Sequence, residues 1–373
     1  MVESLQIRGY RSLENIRFPL SPLTVVTGAN GTGKSNLYRS LQLLARAARG
    51  ELARAVVEEG GMPSALWSGA RRWVAGEPDR VQFLITVQAD TFGYMMECGL
   101  DSTGLFAHDP QVKRERAWLG RTQRPSMLVL ERDCASASLR TAEGERQDYA
   151  GDMESTETAL AQIQDVRRFP DVAVVRGHFL RWRFYHHFRV DADSPVRQPR
   201  PGTYTPSLAS DGADIAAALQ TIYAIGDRDA LDAAIDRMQP GARLELGGAQ
   251  GDGWLGVGLR SRGLLRPLSI RELSDGTVRY LALIAALLSP RPAPLLAFNE
   301  PESSLHPDLL APLASLFVAA SQHSQIWVTT HSGALAQALA EASGHRPIRL
   351  ELKKGATRIV GQNLLGDIVD EGA

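Results

Sequence analysis

The sequence predicts an α/β fold in which two regions of alternating strands and helices flank an antiparallel sheet. Three observations predict it. A short apolar strand at residues 23–27 leads into a glycine-rich loop and then a helical stretch at 36–48. Apolar and polar residues alternate at 81–88 and again at 93–100, as in paired antiparallel strands. From residue 264 onward, strand-like apolar runs again alternate with helical stretches.

The composition is that of a folded, globular chain. Of its 373 residues, 44% are hydrophobic and 22% are charged, which excludes a mainly disordered protein. The net charge of −1 gives no overall attraction to nucleic acid or membrane. Cys98 and Cys134 cannot build a disulfide framework, and the longest apolar run, 281–288, is too short to span a bilayer. We therefore expect a cytoplasmic protein without a membrane partner.

The predicted elements divide the chain into three regions. Residues 1–140 carry the first strands, the glycine-rich loop and an antiparallel sub-sheet, with further short strands near 111–118 and 127–131. Residues 263–373 contain the second α/β region. Its predicted elements are a helix opening at 273–277, a strand at 295–298, a helix at 308–320, a strand at 325–330, a helix at 333–342 and a terminal hairpin.

The region between them, 141–262, is predicted to be an inserted helical lid. A turn followed by a helix is expected within 141–165, and further helices at 214–225 and 229–238. The region contains no heptad repeat, which excludes a long coiled coil.

The glycine-rich loop matches the pattern G-x-x-x-x-G-K-[ST]. Glycines let backbone N–H groups turn toward an anion, and the following helix adds its positive end. Lys34 can reach the β- and γ-phosphates of a nucleotide, and the Ser35 hydroxyl can bind Mg²⁺. The alternative, a turn with a solvated lysine, does not require a strand before it and a helix after it. The predicted phosphate-binding residues are Gly28, Ala29, Asn30, Gly31, Thr32, Gly33, Lys34, Ser35 and Asn36.

Acidic and imidazole groups follow two later strands. The run LLAFNEPE at 295–302 places Glu300 just after a buried strand, where ligands bind in an open α/β sheet, and a carboxylate there can polarise a water. His331 follows the next strand and can donate to a phosphate. Taken singly, these are also ordinary features of a turn and a loop.

The motif LSDGT at 273–277 opens a helix. Ser274 is a good N-cap, while Gly276 within the first turn is unfavourable for a helix. Close approach of another backbone or of a phosphate would explain this glycine.

Together these motifs resemble ABC-type ATPases. The loop, LSDGT, LLAFNEPE, SSLHP at 303–307 and TTHS at 329–332 occur in the order found in that family. The opening sequence LQIRGYRSLENIRFPLSPLTVVTGANGTGKSNL is similar to the RecF/SMC branch. RPLSIRELSDGTVRYLALIAALLSP and NEPESSLHPDLL resemble stand-alone, RecF-like predicted bacterial ATPases with an AAA-type ATP-binding core. The resemblance covers about 1–50 and 264–335 and implies a P-loop NTPase fold of the ABC-ATPase head type.

The resemblance also implies roles for individual residues. Lys34 and Ser35 would contact phosphate and Mg²⁺, Glu300 would be the general base, and His331 the switch histidine. In this family Ser274 and Gly276 would cap the γ-phosphate of a partner's ATP, which implies a head-to-tail homodimer with two ATP molecules. Arg11 would touch phosphate, as in the SMC branch.

The chain departs from the family pattern at two places. Asn299 stands where an aspartate on the Mg²⁺ side is usual, and the Q-loop glutamine has three candidates, Gln82, Gln88 and Gln111. By resemblance, the expected function is ATP hydrolysis in DNA repair, recombination or genome defence, with a separate effector or repair partner. Two alternatives stay open: a nucleotide-gated binding module with little hydrolysis, and the ATPase subunit of a multi-protein anti-phage system.

One segment outside these motifs suggests a partner. Residues 179–190 alternate apolar and basic side chains, which predicts a strand with one buried and one basic face. The basic face, with Arg181, Arg183 and Arg189, is either a strip for double-stranded DNA or a set of ion pairs with the acidic segment 143–165. A metal site at His186–His187 is disfavoured, because no further ligands are near in sequence.

Overall fold

The computed structural model describes residues 1–69, 81–100, 106, 108–149, 151–186, 188–247 and 253–362. The strands in chain order are β1 (Val2–Tyr10), β2 (Leu13–Pro19), β3 (Leu23–Thr27), β4 (Gln82–Ala89), β5 (Phe92–Gly99), β6 (Gln111–Leu119), β7 (Leu128–Asp133), β8 (Ser136–Arg140), β9 (Arg146–Asp148), β10 (Arg183–Tyr185), β11 (Arg200–Pro201), β12 (Arg243–Gly247), β13 (Trp254–Arg260), β14 (Leu268–Ser269), β15 (Leu295–Asn299), β16 (Gln325–Thr329), β17 (Ile348–Lys353) and β18 (Ala356–Ile359).

The α-helices in the same order are α1 (Lys34–Ala47), α2 (Leu52–Glu58), α3 (Met62–Ala65), α4 (Ala159–Gln162), α5 (Pro170–Leu180), α6 (Ile215–Ile225), α7 (Arg228–Met238), α8 (Asp275–Leu287), α9 (Leu310–Ala320) and α10 (Gly333–Ser343).

The chain divides into two compact units. Unit 1 comprises Met1–Ser21, Gly28–Trp182 and the chain from Ile348 onward, and unit 2 comprises Pro22–Thr27 and Arg183–Pro347. The three-region division from the sequence, with its lid at 141–262, stays a prediction.

Unit 1 contains the expected antiparallel sheet. Its strands run in the order β2-β1-β4-β5-β6-β7-β8-β9, and every neighbouring pair is antiparallel. In β4 the alternation is plain, because Phe83, Ile85 and Val87 are buried while the residues between them are half-buried. The N-terminal antiparallel sub-sheet is therefore confirmed.

The helix predicted within 141–165 is wrong for most of its length. After the turn at 141–145 the chain forms β9, and only the four residues of α4 are helical. The reason is a buried polar cluster. The carboxylate of Glu115 accepts from the N–H groups of Ala159 and Leu160, and Arg132 donates to the carbonyls of Glu154 and Glu157. The Arg132 bonds hold the stretch before α4 in a non-helical path, whereas Glu115 accepts from the first N–H groups of α4 and caps that short helix.

Unit 2 is built on parallel strands. They run in the order β10-β15-β16-β3, with Asn299 opposite Thr329 and Thr329 opposite Val26. The strands β15 and β16 are buried along their whole length, as in a sheet covered on both faces. The helices predicted at 214–225, 229–238 and 333–342 are present as α6, α7 and α10.

The strand predicted over 179–190 is only partly formed. Helix α5 extends to Leu180, and β10 covers three residues beside β15. Buried Tyr185 and exposed His186 break the alternation, which returns after β10 at buried Phe188, exposed Arg189 and buried Val190. Arg189 forms its ion pair with Asp191, and not with the acidic segment. His187 lies outside the described residues.

Candidate functional site

Steric contacts shape the phosphate loop in unit 1. Gly28 follows β3 directly and has φ 151°, and a Cβ there would lie 2.7 Å from the Leu350 carbonyl oxygen. Gly33 has φ 98°, and its Cβ would lie 2.1 Å from Oγ1 of Thr357. Both partners belong to the β17–β18 hairpin, which therefore braces the loop and requires glycine at these positions.

Lys34 is folded back onto the loop that precedes it. Its Nζ donates to the carbonyls of Gly28 and Ala29 at 2.7 and 3.0 Å, and its side chain is buried. The Thr32 hydroxyl donates to the same Ala29 carbonyl at 2.8 Å. The loop thus carries a cation at its centre. The other predicted loop residues differ in exposure: Ala29, Asn30 and Gly31 are exposed, whereas Ser35 and Asn36 are half-buried at the start of α1.

The turn after β1 lies beside the start of α1. Ser12 accepts a hydrogen bond from Nδ2 of Asn36 at 2.8 Å, and its hydroxyl is 2.7 Å from that of Thr357. Arg11, in the left-handed region at φ 50°, donates from Nη2 to the Glu59 carboxylate at 3.0 Å. The structure therefore brings the Arg11 turn to the phosphate loop, with the guanidinium itself held by Glu59.

Tyr10 shares that carboxylate. Its hydroxyl donates to Oε2 of Glu59 at 2.6 Å. Burial first, and then the charge of Glu59, raise the pKa of Tyr10 far above its usual value, so the hydroxyl remains a donor.

The second group of predicted residues lies at the strand ends of unit 2. Because β15 and β16 are parallel, Asn299 and Thr329 end at the same edge of the sheet. Oδ1 of Asn299, which is buried, accepts from the Thr329 hydroxyl at 2.6 Å. Glu300 follows at φ 51°, and its N–H donates to the Thr329 carbonyl at 2.8 Å. This left-handed residue turns the chain out of the strand and leaves the Glu300 carboxylate about one-third exposed, at 35%.

His331 lies between two carboxylates. Its Nδ1 is 3.4 Å from Oε1 of Glu300 and 3.8 Å from Oε1 of Glu302. The predicted pair of Glu300 and His331 is thus brought together, and a third residue joins it. Sequence reasoning missed Glu302; the signal was the second acid in the run NEPE.

The start of α8 packs closely against the loop that follows Glu300. Ser274 caps the helix by accepting from the Thr277 N–H at 3.2 Å. A Cβ on Gly276 would lie 2.6 Å from the Ser304 carbonyl oxygen, which confirms that another backbone approaches this glycine. Arg279, one turn further on, donates to the Ser303 carbonyl at 2.6 Å.

Two candidates for the Q-loop glutamine begin strands, and the third has a structural role. Gln82 and Gln111 are the first residues of β4 and β6. Nε2 of Gln88 donates to the carbonyls of Ala89, Phe92 and Gly120, and its Oε1 accepts from Trp118. Gln88 therefore holds the β4–β5 connection, and the Q-loop glutamine stays a prediction.

Among the described residues, no three or more His, Cys, Asp or Glu side chains lie together as ligands for a metal ion. None of the helices in this part of the chain has the length and apolar character needed to cross a membrane.

Comparison with protein families places the chain among known proteins. A family model described as "AAA domain, putative AbiEii toxin, Type IV TA system" matches residues 23–336, well over half of the chain. The chain belongs to this family. The matched range contains both the phosphate loop and the strand-end residues described above.

Solved structures agree on the fold of this AAA-domain chain. An Smc head bound to the C-terminal winged-helix domain of ScpA superimposes with a TM-score of 0.57, at 16% identity over 96% of this chain and 97% of the other. An Smc head from Pyrococcus furiosus, bound to the C-terminal domain of ScpA, gives 0.54 at 14% identity over 96% and 95%. One from Pyrococcus yayanosii gives 0.53 at 11% identity over 98% of both chains. The fold is that of an SMC-type P-loop ATPase head.

A curated relative matches over a short stretch. An OLD nuclease from Thermus scotoductus is 43% identical over 44 residues, which is 12% of this chain and 8% of the nuclease. The chain therefore spans only a small part of the length of that relative.

Proposed function

We propose that the chain binds ATP with Mg²⁺ at the phosphate loop and hydrolyses it, with Glu300 as general base. One observation carries the proposal. Strand β3 ends at the same edge of the parallel sheet as β15 and β16, and the next residue, Gly28, begins the phosphate loop. Asn299, Glu300 and His331 follow the other two strands at that edge, where α/β sheets bind their ligands.

The residues fit a triphosphate. Gly28 and Gly33 have backbone conformations that a side chain would obstruct, and they leave the loop as a backbone cradle that ends at the positive start of α1. Lys34 adds a buried cation held by neutral carbonyls. A carboxylate-free loop of this kind is suited to an anion.

The residues also fit Mg²⁺. Ser35 offers a hydroxyl and Asn299 an amide oxygen, both of the oxygen type that this ion prefers, with phosphate oxygens and water completing its coordination. When bound, the ion neutralises charge on the phosphates.

The chain's own residues then divide the work. Lys34 holds the β- and γ-phosphates. The Glu300 carboxylate accepts a proton from the water that attacks the γ-phosphorus, while the bond to the β-phosphate oxygen breaks. His331 lies next to this carboxylate, with Nδ1 3.4 Å from its Oε1. In the proposed mechanism His331 contacts the nucleotide.

We further propose an ATP-dependent homodimer. Ser274 and Gly276 open α8, and the N–H groups of a helix start can cap the γ-phosphate of ATP bound by a second copy. The tight packing of Gly276 on Ser304 keeps the helix start from shifting. Neither residue is required for ATP binding within one copy.

Light scattering at saturating MgATP tests the dimer. Glu300→Gln should slow hydrolysis but keep binding, and so accumulate a dimer. Ser274→Arg should stay monomeric while binding ATP normally. A Glu300→Gln variant that stays monomeric contradicts the homodimer.

Phosphate release by the native protein, measured with and without Mg²⁺, separates an ATPase from the alternative of a binding module with little hydrolysis.

The cellular process is a separate proposal, supported by the names of relatives. The family description mentions a toxin of a type IV TA system, and the short match is to a nuclease. We propose a role in genome defence or DNA repair, with double-stranded DNA or a separate effector as partner. Alanine at Arg181, Arg183 and Arg189 should weaken salt-sensitive DNA binding without changing ATP affinity. Equal DNA affinity in that triple variant would remove the basic segment from the proposal.

A further inference from the structure

The buried carboxylate of Glu302 forms hydrogen bonds with the turn that carries His331. Glu302 is 8% exposed, and its Oε1 accepts from the Thr330 hydroxyl and from the Ser332 N–H, the latter at 3.3 Å. These two donors flank His331 in the chain. The carboxylate of Glu302 therefore holds the Thr330 side chain on one side of His331 and the Ser332 backbone on the other.

The two carboxylates near His331 differ in their surroundings. The side chain of Glu300 is 35% exposed and that of Glu302 only 7%, and both have an oxygen within 4 Å of Nδ1. Water competes less for a buried carboxylate, so its interaction with a neighbouring N–H is stronger. Although Glu300 is nearer to Nδ1, at 3.4 Å against 3.8 Å, burial favours Glu302 as its permanent partner and leaves Glu300 free to meet solvent.

One oxygen of Glu302 is still unused. All three contacts above involve Oε1, whereas Oε2 is buried and has no hydrogen-bond partner within the described part of the chain. Leaving a buried carboxylate oxygen without a donor is unfavourable. Among the described residues, His331 is the one side chain able to carry a positive charge that lies within 4 Å of the Glu302 carboxylate. Nδ1 of His331 lies 3.8 Å from Oε1, and a proton on it would give this carboxylate a further donor.

We propose that Glu302 is a positioning residue for the hydrolysis step. Its carboxylate keeps a proton on Nδ1 of His331 and holds the imidazole beside Glu300, which leaves Nε2 to face the nucleotide. The inference rests on the proposed roles of Glu300 and His331. A merely structural role for Glu302 would stabilise the turn without acting through the imidazole.

A double-mutant cycle in ATP turnover tests this. Glu302→Gln keeps an oxygen that can accept from Thr330 and Ser332 but removes the charge. It should lower kcat about tenfold and leave KM for ATP within about twofold, the size expected when a histidine loses its orienting carboxylate. In a His331→Ala background the same change should cause no further loss. Multiplicative losses, or a raised KM with unchanged kcat, would overturn the proposal.

Two further variants support the double-mutant cycle, one as a control and one as a substitute. Glu97→Gln alters another buried carboxylate, which is paired with Arg114, and should leave kcat unchanged in both backgrounds. Thr330→Val removes one donor to Glu302. It can be used in place of the Glu302→Gln variant if Glu302→Gln does not fold. It should lower kcat about two- to threefold, again only when His331 is present; an equal loss in the His331→Ala background would overturn the proposal.

A spectroscopic measurement does not depend on turnover. In ¹⁵N-histidine NMR of the nucleotide-free protein, the His331 signal is the one absent from His331→Ala, and its Nδ1 should be protonated. Glu302→Gln should shift this signal and Glu97→Gln should not. An unchanged signal in Glu302→Gln overturns the positioning role. A shifted signal in a protein that hydrolyses no ATP supports this role of Glu302 and contradicts the proposed function instead.

Discussion

The phosphate loop and the strand-end turn, residues 300–302 with 330–332, reach their geometry in different ways. In the loop, Lys34 bonds to carbonyls only five and six positions before it, and two glycines are fixed by steric contact. In the strand-end turn, Glu302 bonds to groups 28 and 30 positions away, through a buried charge. The phosphate loop is constrained by its backbone conformation and by steric contact with the β17–β18 hairpin, and the strand-end turn by polar contacts between separate strands.

We therefore expect the phosphate loop to determine nucleotide binding and the strand-end turn to determine hydrolysis. Changes in the loop remove the cradle or its cation, so they should abolish binding. Changes in the strand-end turn leave the cradle intact, so they should alter hydrolysis or its Mg²⁺ requirement with binding preserved. The predictions below test that separation.

The largest effect is expected at Lys34. Lys34→Ala removes the cation at the centre of the loop and should weaken ATP binding at least about 100-fold, because a charge-assisted contact to phosphate is lost. Lys113→Ala, on strand β6, is the control and should bind ATP as the native protein does. Isothermal titration with ATP makes the comparison. Similar affinities for the two variants would mean that Lys34 does not contact the nucleotide.

A matched pair of glycine variants tests the bracing of the loop. Gly33→Ala places a Cβ 2.1 Å from Oγ1 of Thr357 and should destabilise the protein by more than about 2 kcal/mol. Gly31 has φ 80°, but no atom lies within 4 Å of the position that a Cβ would take. Gly31→Ala should therefore lower the stability by only about 1 kcal/mol. Thermal unfolding measures both. An equal loss would show that backbone conformation alone, and not the hairpin, limits the loop.

A smaller effect is expected at Asn299. Asn299→Asp keeps an oxygen that accepts from Thr329 and adds a negative charge beside the proposed Mg²⁺ position. After desolvation and repulsion from the phosphates, the net gain is about 1–2 kcal/mol. The Mg²⁺ concentration for half-maximal turnover should fall roughly tenfold. An unchanged or higher requirement would mean that Asn299 does not face the metal.

Local patterns in the sequence predicted the phosphate loop well. The glycine positions, the start of α1 and the cap at Ser274 all follow from short-range stereochemistry. The close approach at Gly276 could also be anticipated, because glycine is unfavourable in a first helical turn without such a reason.

The contacts that the sequence could not predict join distant parts of the chain. Nothing local to Arg11 indicates that Glu59 holds its guanidinium, and nothing local to Glu302 indicates its bonds to Thr330 and Ser332. The same limitation explains the wrong helix within 141–165, since the stretch before α4 is held by Arg132 of β7 through the carbonyls of Glu154 and Glu157.

The proposed function depends on Glu300 as the general base for ATP hydrolysis. Single-turnover hydrolysis of radiolabelled ATP by Glu300→Gln, measured together with its ATP affinity, tests this most directly. We expect a hydrolysis rate at least about 100-fold below that of the native protein, which is the usual range for loss of a general base. ATP affinity should stay within about threefold. A native hydrolysis rate in Glu300→Gln, or a loss of affinity as large as that of Lys34→Ala, would contradict the claim.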